Sequence, residues 1–170
     1  MNLHRHALII AVVERLQNAG SWTGKTHVQK ALSLLADTTN FDLPFSRVLY
    51  KHGPYSFDVA AALQEMKSYA AVNFVVKRPF GESFSVGAGA EFVKQHALSI
   101  DEAHAVEKIC KFVGQRGVMD LERIATAAWI RKREGLQDRQ KVAERLHQLK
   151  PHVSVEQAIA ADCELAPLLS

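Results

Sequence analysis

Apolar residues recur at helical spacing along most of this chain, and that periodicity restricts it to a predominantly helical fold. One stripe runs through Ile9, Val12 and Leu16, and similar stripes follow at intervals to the C-terminal end. The pattern predicts helices over residues 4–19, 26–37, 56–69, 101–113, 120–133 and 138–149, and a last helix that begins after Ser154. Strands have room only between residues 41 and 86.

That interval predicts one clear β-hairpin. Residues 72–77 are rich in Val and Phe, residues 79–82 form a turn, and residues 83–86 return. Residues 41–50 favour an extended segment, and Gly53-Pro54 favours a turn. We therefore predict an α+β, mostly helical fold, with a winged-helix-like core (helix, helix, helix, β-hairpin) and a helical C-terminal extension. We expect a single domain over residues 1–170, with halves 1–90 and 91–170 packed together.

Composition is that of a compact globular protein, because 48% of the 170 residues are hydrophobic and only 9 are Gly and 5 Pro. No apolar run reaches the ~20 residues of a membrane span. The apolar run at residues 7–13 lacks a signal-peptide cleavage pattern. We therefore expect a cytoplasmic protein without membrane partners. Cys110 and Cys163 lie on apolar helical stripes, which predicts two buried thiols.

Motifs for chemistry are weak. Residues 20–26 imitate a phosphate-binding loop, but the glycine spacing is one residue short and a helix precedes it instead of a strand. The eight histidines lack the spacing of metal ligands, and no nucleophile elbow occurs. We predict no enzyme activity, no catalytic residues, no metal and no cofactor. A hydrolase or nuclease with a dispersed site is a third possibility.

Nucleic-acid binding is an alternative, because winged helices often bind DNA. The mild net charge of +3 is unevenly distributed. The candidate contacts are Lys77, Arg78, Arg131, Lys132 and Arg133. The outward stripe of the third helix, however, comprises Asp58, Ala61, Glu65 and Ser68. Two acids and no base on that stripe disfavour contact with phosphates.

The segment Tyr50-Lys-His-Gly-Pro-Tyr-Ser56 is the most unusual in the chain. Its tyrosines are suited to a binding surface, because Tyr buries a large area at low entropic cost. They could equally pack in the core around a turn at Gly53.

This segment, together with Thr26-His-Val-Gln-Lys30, resembles the paired motifs of the YwgA-type family. Leu121–Thr126 and Leu149–Pro151 also look like this family, and a more distant similarity is to the Panacea (SocA-like) antitoxin domain. The resemblance implies a winged-helix-like, mostly helical fold without known catalytic residues. For the Panacea relatives it implies toxin neutralisation by direct contact. The chain departs from the family pattern at His27 and Val28, where Lys and Leu are usual.

We therefore expect a non-enzymatic protein-binding regulatory module, antitoxin-like or accessory to a toxin–antitoxin or phage-defence system. The expected partner is a toxin or a defence-system component; the alternative is a winged-helix DNA-binding transcriptional regulator. The predicted protein-binding residues are Gln29, Lys30, Tyr50, His52, Tyr55 and Ser56.

Overall fold

Eight α-helices and two small antiparallel hairpins make up the computed structural model, which describes residues Met1–Ser170. The helices are α1 (Leu3–Asn18), α2 (Lys25–Thr38), α3 (Phe57–Ser68), α4 (Ala90–Lys94), α5 (Ile100–Val113), α6 (Val118–Glu134), α7 (Arg139–Leu149) and α8 (Val155–Leu165). The strands are β1 (Val48–Tyr50), β2 (Gly53–Tyr55), β3 (Val72–Lys77) and β4 (Gly81–Val86). The predicted α+β, mostly helical class is confirmed.

Local sequence signals fix several helix ends. Ser56 caps α3 by accepting a hydrogen bond from the Val59 amide. Ser154 and Gln157 form a capping box at the start of α8, as the sequence predicts. Gly20 follows α1 with a φ of +75°, which suits the glycine found there. Among the eight α-helices, α4 alone is not predicted from the sequence, because five residues are too few to show a helical period.

One hydrophobic core of 40 buried residues extends from Ala7 to Leu168. Helix α6 lies at its centre and packs against α2, α7 and α8, while α5 packs against α1 and α2. The two halves of the chain, residues 1–90 and 91–170, therefore share this one core. None of the helices combines the length and the apolar character that crossing a membrane requires.

The segment before α3 differs from the prediction. Only Val48–Tyr50 of the expected extended stretch forms a strand, and Gly53-Pro54 belongs to strand β2 instead of a turn. Tyr50 pairs with Gly53, so the turn consists of Lys51 and His52. Pro54 is tolerated because a two-stranded sheet leaves one edge of each strand unpaired.

The prediction of two buried thiols is confirmed for Cys110 alone. Cys110 is buried, and burial raises the pKa of its thiol to about 12. Cys163 is exposed, so its predicted burial is wrong. The inward face of α8 instead includes Asp162, whose carboxylate is fully buried against Arg131. The buried face of α8 therefore carries an ion pair, and not the Cys163 thiol that the apolar pattern predicts there.

A second buried ion pair anchors the chain that leads into β1. The Arg47 guanidinium donates to both oxygens of Asp37, at 2.6 and 2.7 Å, and to the Ser33 hydroxyl at 2.8 Å. The same guanidinium lies 5.2 Å from the centre of the Trp129 ring. Residues 39–47 are thereby fixed to α2 and α6 although they form no regular structure.

Candidate functional site

The β1–β2 hairpin is seated on α2 through hydrogen bonds between the two sequence motifs. The Gln29 side chain donates to the Ser56 carbonyl at 2.8 Å and accepts from the Ser56 amide at 2.9 Å. The Lys30 ammonium donates to the Pro54 carbonyl at 2.9 Å. The sequence alone left open whether these motifs touch; in the structure they form one unit.

The opposite side of the hairpin is held by Lys150, which follows α7. Its ammonium donates to the carbonyl of Tyr50 at 3.0 Å and to that of Lys51 at 2.5 Å. Both carbonyls belong to the turn or to the strand entering it. Two lysines from distant parts of the chain therefore fix the backbone of the hairpin of residues 48–55.

Glu122 on α6 lies behind this hairpin, and its side chain is only 11% exposed. One carboxylate oxygen is 3.7 Å from the Lys150 ammonium and 3.5 Å from His152 Nε2; the other is 3.7 Å from His52 Nδ1. Glu122 thus supplies the negative charge among these basic groups. Acids are common near the start of a helix, so nothing in the sequence around Glu122 indicates this burial.

Lys30 is the most perturbed base of the site. Burial lowers its pKa from 10.5 to about 8, Glu122 opposes that change, and the charge of Lys150 adds to it. Lys30 forms a hydrogen bond to Pro54 but no ion pair. A positive charge is therefore kept in a largely dry position without a carboxylate bound directly to it.

Gly53 permits the close approach of the hairpin to α6. Its φ is +89°, and a Cβ there would lie 2.9 Å from the Thr126 hydroxyl oxygen and 3.5 Å from the Lys30 ammonium. Thr126 cannot simply turn away, because its hydroxyl donates to the Glu122 carbonyl at 2.7 Å. Glycine is therefore required by both conformation and space.

Three aromatic rings cover the outer side of the hairpin, and we call Tyr50, Tyr55 and Phe57 the aromatic patch. Their ring centres lie 5.1 to 5.8 Å apart. Tyr50 is 56% exposed and Phe57 is 59% exposed, while Tyr55 is half-buried. The core-packing alternative for these tyrosines is thus wrong. The sequence does not indicate Phe57 as a contact residue, because Phe57 follows the unusual segment and begins helix α3.

The six predicted protein-binding residues divide into two groups. Tyr50, His52 and Tyr55 reach the surface, whereas Gln29, Lys30 and Ser56 are at most 3% exposed. The buried three shape and hold the hairpin. A surface role for Gln29 and Ser56 is therefore corrected to a positioning role.

The basic residues of the nucleic-acid alternative do not form one free surface. Arg131 is committed to Asp162 through bonds of 2.6 and 2.7 Å, so its assignment as a phosphate contact is corrected. Lys132 donates to the Thr39 carbonyl, and Arg133 lies over the Trp129 ring. Lys77 and Arg78 stand apart from them, at the tip of the β3–β4 hairpin.

No protein-family model matches this chain, and no curated protein matches it either. The resemblance to the YwgA-type and Panacea families therefore remains a prediction from the two motifs.

Proposed function

We propose that this chain is a non-enzymatic protein-binding module whose contact surface is the aromatic patch. The observation that carries the proposal is a cluster of three touching aromatic rings, two of them exposed, at a hairpin held by buried hydrogen bonds. Aromatic side chains dominate the energetics of protein interfaces. A rigid support reduces the entropy lost on binding. The patch therefore has both the chemistry and the preorganisation of a contact site.

The partner that we propose is a toxin or a component of a phage-defence system, which the module would occlude or position. The resemblance of residues 26–30 and 50–56 to YwgA-type motifs, with the more distant similarity to the Panacea antitoxin domain, supports this choice. We further propose that α1, α2, α3 and the β3–β4 hairpin form a winged-helix-like core. In that arrangement the aromatic patch lies beside the start of α3.

DNA binding is less well supported. The exposed side of α3 carries Glu65, and Asp58 accepts hydrogen bonds from the Ser46 amide and hydroxyl at 2.8 and 3.0 Å. Carboxylates at this position repel phosphates. Lys77 and Arg78 are the remaining candidates for that alternative.

We expect the double substitution Tyr50→Ala/Phe57→Ala to weaken partner binding at least about thirtyfold, since each truncation of a central aromatic contact removes more than about 1 kcal/mol. The partner is first recovered with the tagged chain from the native host, then purified and titrated by calorimetry. Phe92→Ala is the matched control, because Phe92 is 50% exposed on α4, away from the patch. Equal affinity losses in the two variants would contradict the proposal.

The recovery is carried out with and without nuclease and at low and high salt. A protein retained under all these conditions supports the module. Nucleic acid that is lost on nuclease treatment, with affinity falling steeply as salt rises, would instead support the DNA-binding regulator.

A further inference from the structure

A cavity of about 190 Å³ opens between the start of α2 and the β1–β2 hairpin, next to the aromatic patch. The lining residues whose side chains carry polar hydrogens are Lys25, Thr26, Gln29, Lys30, Tyr50, His52 and Tyr55. None of the eight residues that line the cavity has a carboxylate. The cavity therefore has an excess of donors and positive charge.

Lys30 is the central group of this cavity. The residue is only 2% exposed, yet its ammonium has one protein acceptor, the Pro54 carbonyl. An ammonium has three donors, so two of them are left for another partner. Buried cations without a full set of acceptors are unfavourable, and an anion at this place would supply what the protein does not.

Glu122 does not fill that role. The basic groups within 4 Å of its carboxylate belong to His52, Lys150 and His152, and Lys30 is not among them. On that side Gly53 of the hairpin lies directly against Thr126 of α6. Glu122 therefore favours the charged form of Lys30 only at longer range and accepts none of its hydrogens, and Lys30 lines the cavity with two donors left over.

The mouth of the cavity adds to the attraction for an anion. Lys25 and Thr26 form the first turn of α2, whose N-cap Gly24 provides no side-chain acceptor for the free amides. Those amides and the helix dipole favour a negative group. The Lys25 ammonium lies 5.9 Å from the centre of the Tyr55 ring, which places a second cation at the rim.

We propose that this cavity is an anion site that receives one carboxylate, the side chain of an Asp or Glu of the protein bound at the aromatic patch. The inference rests on the proposed function, since the patch supplies the rim. Its volume suits a single side chain. Because lysines bind phosphate as well as carboxylate, the choice of a carboxylate rests on the place of the cavity beside the aromatic patch, where a bound protein presents Asp and Glu side chains.

The test is a titration of the ¹⁵N-labelled full chain with glutarate, which mimics such a side chain and needs no partner. Sodium chloride at matched ionic strength and inorganic phosphate are the comparison titrants. We expect saturable shifts of the Lys30, Gly53 and Tyr55 amide signals, with a millimolar dissociation constant. The absence of saturable shifts in the folded wild-type chain would overturn the site. Tighter binding of phosphate than of glutarate would overturn the carboxylate assignment.

Two variants locate the effect. Lys30→Met should weaken glutarate binding at least about tenfold, as the loss of a charge-assisted hydrogen bond requires. Lys25→Met, at the exposed rim, should also weaken it and does not disturb the core. Lys94→Met is the control, because Lys94 pairs with Glu14 on another face. Unchanged affinity in both Lys30→Met and Lys25→Met would overturn the site. In that case patch-dependent partner binding would still stand, so the two proposals fail separately.

Discussion

Substitution of Arg47 by Met is expected to lower the free energy of unfolding by about 3–5 kcal/mol, the usual effect of removing one partner from a buried ion pair. The Asp37 side chain is 0% exposed and that of Arg47 is 7% exposed. The substitution leaves a charged carboxylate in the core without its two hydrogen bonds. It also frees the segment that leads into β1. Urea denaturation of the variant and the wild type measures the difference.

Two further variants separate charge from packing. Asp37→Leu/Arg47→Met removes both charges and should recover most of the lost stability. Arg145→Met breaks a half-exposed pair with Glu134 and should change stability by less than about 1 kcal/mol. If the Arg47 variant were no less stable than the Arg145 variant, the proposed anchoring of residues 39–47 would be wrong.

Gly53→Ala is expected to destabilise the protein by about 3 kcal/mol and to weaken partner binding. The left-handed φ contributes roughly 1–2 kcal/mol, and the contact of the new Cβ with the Thr126 hydroxyl contributes the remainder. The hairpin must then move off α6, which displaces Tyr50 from the aromatic patch. Denaturation and partner titration measure the two effects.

Gly81→Ala is a closely matched control, because Gly81 has a φ of +88° but open space around its missing Cβ. It should show the conformational penalty alone and leave partner binding unchanged. Thr126→Ala combined with Gly53→Ala should recover part of the lost stability, since the clashing oxygen is gone. Equal destabilisation by the two glycine substitutions would show that the hairpin is not tightly seated on α6.

The helices and the β3–β4 hairpin could be predicted from the sequence because their signals are local. Ser56 and Ser154 mark helix starts by capping, and apolar stripes mark the faces that pack. The β1–β2 hairpin could not be placed in this way. Its register depends on hydrogen bonds between residues far apart in the chain. Lys30 bonds to the Pro54 carbonyl, 24 positions away, and Lys150 bonds to the Tyr50 carbonyl, 100 positions away.

The sequence predicts only part of the candidate site, because the rest of the site also depends on contacts between distant residues. The two sequence motifs indicate Gln29, Lys30 and residues 50–56. The helical periodicity of apolar residues, however, does not show which polar side chains point into the protein. Glu122 and Lys150 look like ordinary solvated charges in the sequence. Their burial follows only from the packing of α6 against β2 and from the bonds of Lys150 to the hairpin. Asp162 also looks like a solvated charge in the sequence, although it lies on the buried face of α8.

Hydroxyl-radical footprinting of the purified complex tests the central claim most directly, because exposed aromatic rings are efficiently oxidised and a bound partner shields them. Oxidation of Tyr50 and Phe57 should fall on binding, while Phe80 and Phe92, 76% and 50% exposed elsewhere, should be oxidised as in the free chain. Unchanged oxidation of Tyr50 and Phe57, together with protection of Phe80 or Phe92, would contradict the assignment of the aromatic patch as the contact surface.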